Sequence, residues 1–328
     1  MKSTAFLVAI LLLPACSGSN SNPVDSGSGP DVKSGCELAA SLCTKLDQCA
    51  PFLLAAVYGD LSACSDRLTK ACTAQMRSSG SGMTEASLQS CADALATATC
   101  TDVFANNVPA CSLRGSLADG TTCGDNSQCA SGFCALGDAI CGVCAGKQAA
   151  GAACASGSND ECQTGLVCSS GKLCAPPAVV GGPCDDTTQP CLTGSFCTNA
   201  KTCALTVAAG QDCPGAYLNL GDGTVCFGKG TAASPQISTQ ILTAAKGEPC
   251  GLAPDNGQGA TLCAPGGVAA CSLGSGGIQL LGLPTKGVCA APIDDYKPCD
   301  PTVATSICQP SAQCIAGTCQ IPSGRYCM

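Results

Sequence analysis

The chain has 328 residues, a formal net charge of −8 and 33 cysteines, about one residue in ten, the density of disulfide scaffolds. It contains no histidine, which removes the Ser-His-Asp triad, the Cys-His dyad and H-E-x-x-H zinc sites together. Its acidic balance excludes the basic surface that nucleic acid requires. Leu, Ile, Val and Phe number 59, about 18%, too few to offset backbone ordering by apolar burial alone. Disulfides must therefore restrict the unfolded chain instead, at about 2–4 kcal/mol each. Such bonds persist only in an oxidising compartment.

Lys2, the apolar run over residues 5–13 and the sequence Leu13-Pro14-Ala15-Cys16 read as an export signal over residues 1–15, too short for a permanent bilayer span. Its last four residues resemble the lipobox of bacterial lipoproteins. The resemblance implies cleavage before Cys16, diacylation of its thiol and anchoring in the outer membrane or at the cell surface of a Gram-negative bacterium. Setting Cys16 aside leaves 32 cysteines, an even number that can pair completely. Residues 16–35 are rich in Ser, Gly and Asn and read as a flexible tether.

Residues 36–111 carry a helical period. Leu38, Leu42 and Leu46 recur every four residues, and Leu61, Cys64, Leu68, Cys72 and Met76 every three or four, as do Leu88, Cys91 and Leu95. The spacing predicts helices over 36–49, 61–77 and 84–99, with shorter helical turns near 52–58 and 101–106. Thr84 is the expected N-cap of the third. Cys36 and Cys43 share a face but sit ~10 Å apart along a helix, beyond disulfide reach, and Cys64 and Cys72 are no closer. The eight cysteines here must therefore bridge different helices, by a connectivity that spacing does not give.

Beyond residues 112–119, which read as a linker with few contacts, the helical period disappears and cysteine itself repeats. Cys154, Cys168 and Cys174 recur about thirty residues later as Cys184, Cys197 and Cys203. Six opening signatures precede a cysteine by three residues, at Gly120, Gly151, Gly181, Gly210, Gly247 and Tyr296. The glycine in five of six predicts a turn with positive φ. Short Cys-to-Cys segments such as 168–174, 197–203 and 314–319 predict tight hairpins. The expected fold class is small and disulfide-rich: a helical, disulfide-linked module followed by an elongated array of cysteine-rich β-hairpin repeats. The array divides into regular, EGF-like repeats over 120–204 and degenerate ones over 205–328. Ile237, Ile241 and Leu242, at helical spacing, predict a helical insertion in the degenerate part. The structural disulfide-forming set of the regular part is Cys123, Cys129, Cys134, Cys141, Cys144, Cys154, Cys162, Cys168, Cys174, Cys184, Cys191, Cys197 and Cys203.

Within that set, residues 123–174 resemble the Dickkopf N-terminal cysteine-rich domain, through C-x5-C-x4-C, then Cys141-x2-Cys144, then a closing hairpin. The resemblance implies a fold and not the Wnt antagonism of the animal proteins. The chain as a whole is similar in style to cysteine-rich surface lipoproteins of myxobacteria.

Other chemistry is weaker. Cys141-x2-Cys144 lacks the βαβ context of a redox motif and the reduced thiols of a zinc site. Residues 223–229 match the first seven positions of a P-loop, but Gly230 replaces the Mg²⁺-binding Ser or Thr. Asp185-Asp186 and Asp294-Asp295 read as solvated turn acids, because no stacking Trp and no calcium loop accompany them. No catalytic residue, metal or cofactor is expected. The expected function is a non-enzymatic, lipid-anchored surface protein that binds or adheres through the array. Its partners are the membrane, through the anchor, and a protein or surface ligand, not nucleic acid. The alternative is an extracellular protease inhibitor, with candidate loops between Cys213 and Cys226 and between Cys271 and Cys289.

Overall fold

The computed structural model describes residues 32–328 except 106, 137–140, 155–160, 193, 214–216, 220, 227–236, 253–258, 268–269, 274–278, 281–282, 285, 301–305, 323–326 and 328. The export signal, Cys16 and nearly all of the tether therefore lie outside the described residues.

The first module consists of α1 (Val32–Glu37), α2 (Ala40–Cys49), α3 (Pro51–Tyr58), α4 (Leu61–Met76), α5 (Glu85–Thr97), α6 (Cys100–Phe104) and a 3₁₀ turn at Pro109–Cys111. Local chemistry sets most boundaries. Pro51 opens α3, Gly59 at φ 93° ends it, and the Asp60 carboxylate accepts from the Ala63 N–H at the start of α4. Thr84 with Ser87, and Thr99 with Asp102, form reciprocal caps on α5 and α6.

Two expectations need correction here. Helix begins at Val32, inside the expected tether, and the expected 36–49 helix is divided at Leu38 and Ala39. Across that break the amides of Leu38, Ala39, Ser41 and Leu42 bond three residues back rather than four, so the chain tightens without unwinding.

Helix α4 runs antiparallel to α1 and α2, which presents Cys72 to Cys36 and Cys64 to Cys43. Both pairs are bridged, with Cα separations of 5.5 and 5.9 Å. Cys49–Cys100 and Cys91–Cys111 complete four bridges between helical segments.

The array is built from one repeated unit. Each complete unit has four cysteines, the first bonded to the third and the second to the fourth. The pairs are Cys123–Cys134 with Cys129–Cys144, Cys154–Cys168 with Cys162–Cys174, and Cys184–Cys197 with Cys191–Cys203. The fifth and sixth units repeat it with Cys250–Cys271, Cys263–Cys289, Cys299–Cys314 and Cys308–Cys319. Third and fourth cysteines stand directly opposite each other on a hairpin, as in Cys168↔Cys174 and Cys197↔Cys203. They bond back to the loop instead of to each other, so two bridges clamp one hairpin onto its own leading segment.

The opening residue holds this clamp. Its N–H donates to the carbonyl at the fourth-cysteine position at 2.7–2.8 Å in all six units, and the amide there donates to the residue after the opening one at 2.8–2.9 Å. The geometry needs positive φ, which the five glycines and Tyr296 (φ 61°) all adopt. In the hairpins the left-handed residues are Lys172, rather than the neighbouring Gly171, then Lys201, and Ala316 with Gly317.

The fourth unit keeps only Cys213–Cys226. Ser238 stands at its fourth-cysteine position, receiving the Gly210 N–H and donating to Gln211. The buried Tyr217 hydroxyl bonds the Ser238 hydroxyl at 2.9 Å, accepts from the Val207 N–H at 3.1 Å and donates to the Val207 carbonyl at 2.9 Å. In the first three units the equivalent residue, Leu117, Gln148 or Ala178, makes both backbone bonds to neighbours of the second cysteine. A Tyr–Ser pair thus does the work of the missing bridge. Residues 227–236 of the expected helical insertion lie outside the described residues, and the described part, from Ile237 on, is not helical. Thr239–Gln240 and Leu242–Ala244 are strands, with Ile241 buried while Ile237 and Leu242 are exposed.

The two modules share a core, which overturns the separation that a linker with few contacts implied. Leu46, Leu53, Leu54 and Tyr58 from the helices pack with Val225, Ile241, Leu252, Ala260 and Leu262 of the fourth and fifth units. Amides of Gly266 and Gly267 bond the Val57 and Ala56 carbonyls, satisfying the open end of α3 from the fifth unit. The linker expectation also fails. The amides of Gly115, Ser116 and Leu117 bond the carbonyls of Cys129, Gly80 and Gln128, and a Cβ on Gly115 would lie 2.1 Å from the Gln128 oxygen. No bridge joins the two modules; each keeps its cysteines to itself.

Finally, Cys141 leaves the pattern of its unit and bonds Cys327 at the end of the sixth, 186 residues away. That explains the odd number of cysteines between 123 and 174: one of them belongs to a bond that closes the array on itself.

Candidate functional site

All thirteen cysteines of the regular repeats lie in disulfides. Cys141 and Cys144 bond not each other but Cys327 and Cys129. A thioredoxin-like exchange needs these two to bond each other, and they do not. In five units three sulfurs, such as those of Cys123, Cys129 and Cys144, lie within 4.8 Å of one another. Metal binding requires thiolates, and these sulfurs are bonded in pairs, so the clusters are stacked bridges. Cys16 lies outside the described residues.

The described part of the P-loop-like segment, residues 223–226, is no phosphate cradle. Thr224–Cys226 is a central strand between Tyr217–Asn219 and Thr239–Gln240, and Cys226 is bonded to Cys213. Gly223 is there for close approach, since a Cβ would meet the Phe52 ring at 2.6 Å.

The two aspartate pairs differ. Asp185 accepts from the Thr187 N–H and faces Lys201 at 3.3 Å, which holds its carboxyl below the ordinary range, while burial pushes the neighbouring Asp186 up. Asp294 is exposed at a turn, as expected, whereas Asp295 is not a solvated acid. Asp294 accepts from Gln309 at 2.7 Å, and Asp295 pairs with Arg67 of α4 at 2.5 Å, with only 16% and 7% of the two side chains exposed. Sequence reading missed Arg67 as a partner because its 228-residue separation leaves no local signal.

Arg67 stands in a cleft of about 420 Å³ where α3 and α4 meet the fifth and sixth units. Its Nε donates to the Pro310 carbonyl at 2.7 Å and its Nη1 also reaches Gln309. Tyr58 lines the same cleft, and burial pushes its hydroxyl up to about 12 against the weaker opposing pulls of Ser311 and Arg67. A phenol in that range stays protonated at neutral pH and can donate but not act as a base. Arg67 is committed to Asp295 and to the last unit. The cleft can recognise a polar group, and its chief role is to fasten the end of the array to the helices.

The geometry defines a class: a disulfide-built repeat protein whose array is closed on itself and braced by a helical module. No protein family, curated protein or solved structure matches the chain. Sixteen disulfides among the described residues place it in an oxidising, extracellular-type compartment. Among the described residues, no helix is long and apolar enough to cross a membrane.

Proposed function

We propose that the chain is a non-enzymatic, lipid-anchored surface protein of a Gram-negative bacterium, which binds a protein or surface ligand through the loops of its array. The observation that carries this reading is the bracing of the array. The Cys141–Cys327 bond and the shared core hold loops of several units in fixed relation, as a preorganised binding surface requires. Lipobox-like residues ending in Cys16 support the anchor. Fluorescently labelled protein should bind saturably to bacteria lacking the gene, and reduced, alkylated protein should not. Absence of saturable binding, or equal binding by the alkylated form, contradicts the reading. For the anchor, a palmitate analogue should label the protein in cells and Cys16→Ala should abolish the label.

A second reading, an extracellular protease inhibitor, is favoured by one feature. The hairpin between Cys213 and Cys226 is closed by its own disulfide, as a reactive loop would be, and exposes Asp222 at its turn, whereas Cys271 and Cys289 bond Cys250 and Cys263. Stoichiometric inhibition of a trypsin- or subtilisin-type protease would establish it in place of the first.

A further inference from the structure

The buried apolar side chains of the helical module gather in three clusters, with the half-buried Leu42 packed against two of them. One cluster centres on Leu46, Leu54 and Leu68, a second on Cys36, Cys72 and Leu88, and a third on Leu95, Val103 and Val108. A domain of this size ordinarily forms one contiguous cluster. Between the three runs a groove of about 270 Å³, walled by Leu38, Leu42, Leu68, Leu88, Leu95 and Val108. Its walls cannot close on each other freely. Cys36–Cys72 ties α1 to α4, Cys91–Cys111 ties α5 to the 3₁₀ turn, and Cys72, Cys91 and Cys111 themselves line the groove.

The character of the lining changes where the groove meets the array. There the exposed Arg114 contributes a positive charge. The acid at that end, Asp125, is buried and already accepts from the Gln75 side chain and the Ser127 N–H. In a chain of net charge −8, the mouth of this groove thus presents an exposed cation.

We propose that the groove binds the single aliphatic chain of a fatty acid, with its carboxylate at Arg114. A dry cavity of about 150 Å³ already admits benzene. The groove is larger than that, with room for one alkyl chain but not for the paired chains of a phospholipid. This site is separate from the loops of the proposed surface function, and either can fail alone.

Displacement of cis-parinarate by dodecanoate tests it, using the exported chain with Cys16→Ser so that no anchor competes. One dodecanoate should bind per chain, and dodecanol about ten-fold more weakly for want of the charge-assisted bonds. Arg114→Glu should weaken dodecanoate by a similar factor and leave dodecanol unchanged. Leu95→Phe should abolish both without lowering the melting temperature. Ala39→Leu, at a half-buried wall position, fills the groove with less risk to folding and should act likewise. No displaceable site, or binding indifferent to both filling variants, overturns the proposal. Equal affinity for acid and alcohol overturns the assignment of the carboxylate to Arg114.

Discussion

Tyr296 holds a bulky side chain at φ 61°, 79% exposed, where five sister units place glycine. Left-handed backbone costs a non-glycine residue about 1–2 kcal/mol, partly offset by glycine's larger entropy in the unfolded chain. Tyr296→Gly should therefore stabilise the protein by about 0.5–1 kcal/mol in denaturant titration. Gly151→Ala and Gly181→Ala should destabilise it by about 1 kcal/mol, although nothing lies within 4 Å of the added Cβ at either place. Backbone conformation alone is at stake there. The five opening glycines were legible because their spacing to cysteine is fixed. The role of Tyr217 was not, because its hydroxyl replaces backbone groups across ten residues of chain. Tyr217→Phe leaves the Val207 amide and carbonyl without that partner and should cost about 1–3 kcal/mol.

At the scale of elements, the helices were legible from their period because each buries one stripe and polar caps mark where three of them begin. The misread stretch was 237–242, where the four-residue spacing of Ile237 and Ile241 belongs to a non-helical segment that buries Ser238 and Ile241 and exposes Ile237 and Leu242. Periodicity in so short a segment does not distinguish helix from strand. Helix α3 supplies a pH-dependent test. The Tyr58 phenol ionises near 10 when unfolded and near 12 in the fold. Below pH 10 both states keep the proton and the group adds no slope. Between 10 and 12 the unfolded chain loses its proton first, so stability falls as pH rises, by up to about 2–3 kcal/mol. Tyr58→Phe should remove that part of the alkaline slope, read by rapid denaturant jumps at each pH. An unchanged slope contradicts burial of the hydroxyl. On α4, Arg67→Met should cost about 3–5 kcal/mol by stranding Asp295, and adding Asp295→Leu should restore most of it.

For the whole molecule, composition and cysteine spacing carried the architecture: helices first, then hairpin units, within an oxidising compartment. They could not carry the assembly. Val225, Ile241, Leu252 and Leu262 meet the helices through contacts more than 150 residues apart in the chain, and Gly115 to Leu117 look like a linker while being pinned by backbone bonds. Because noncovalent contacts alone join the modules, a chain cut within 112–119 should stay together in native buffer. It should separate in denaturant without any reductant.

The most direct test is the bond that closes the array, since the braced scaffold depends on it. Trypsin cutting after Arg114, Lys147 and Arg325 releases residues 115–147, which contain five cysteines, and the three-residue peptide 326–328, which contains Cys327. An odd set cannot pair within itself. Mass spectrometry of the unreduced, alkylated digest should find 115–147 joined to 326–328 with no alkylated cysteine, and fragmentation should place the link at Cys141. A Cys141–Cys144 bond, or a free thiol at Cys141 or Cys327, would contradict the closed array.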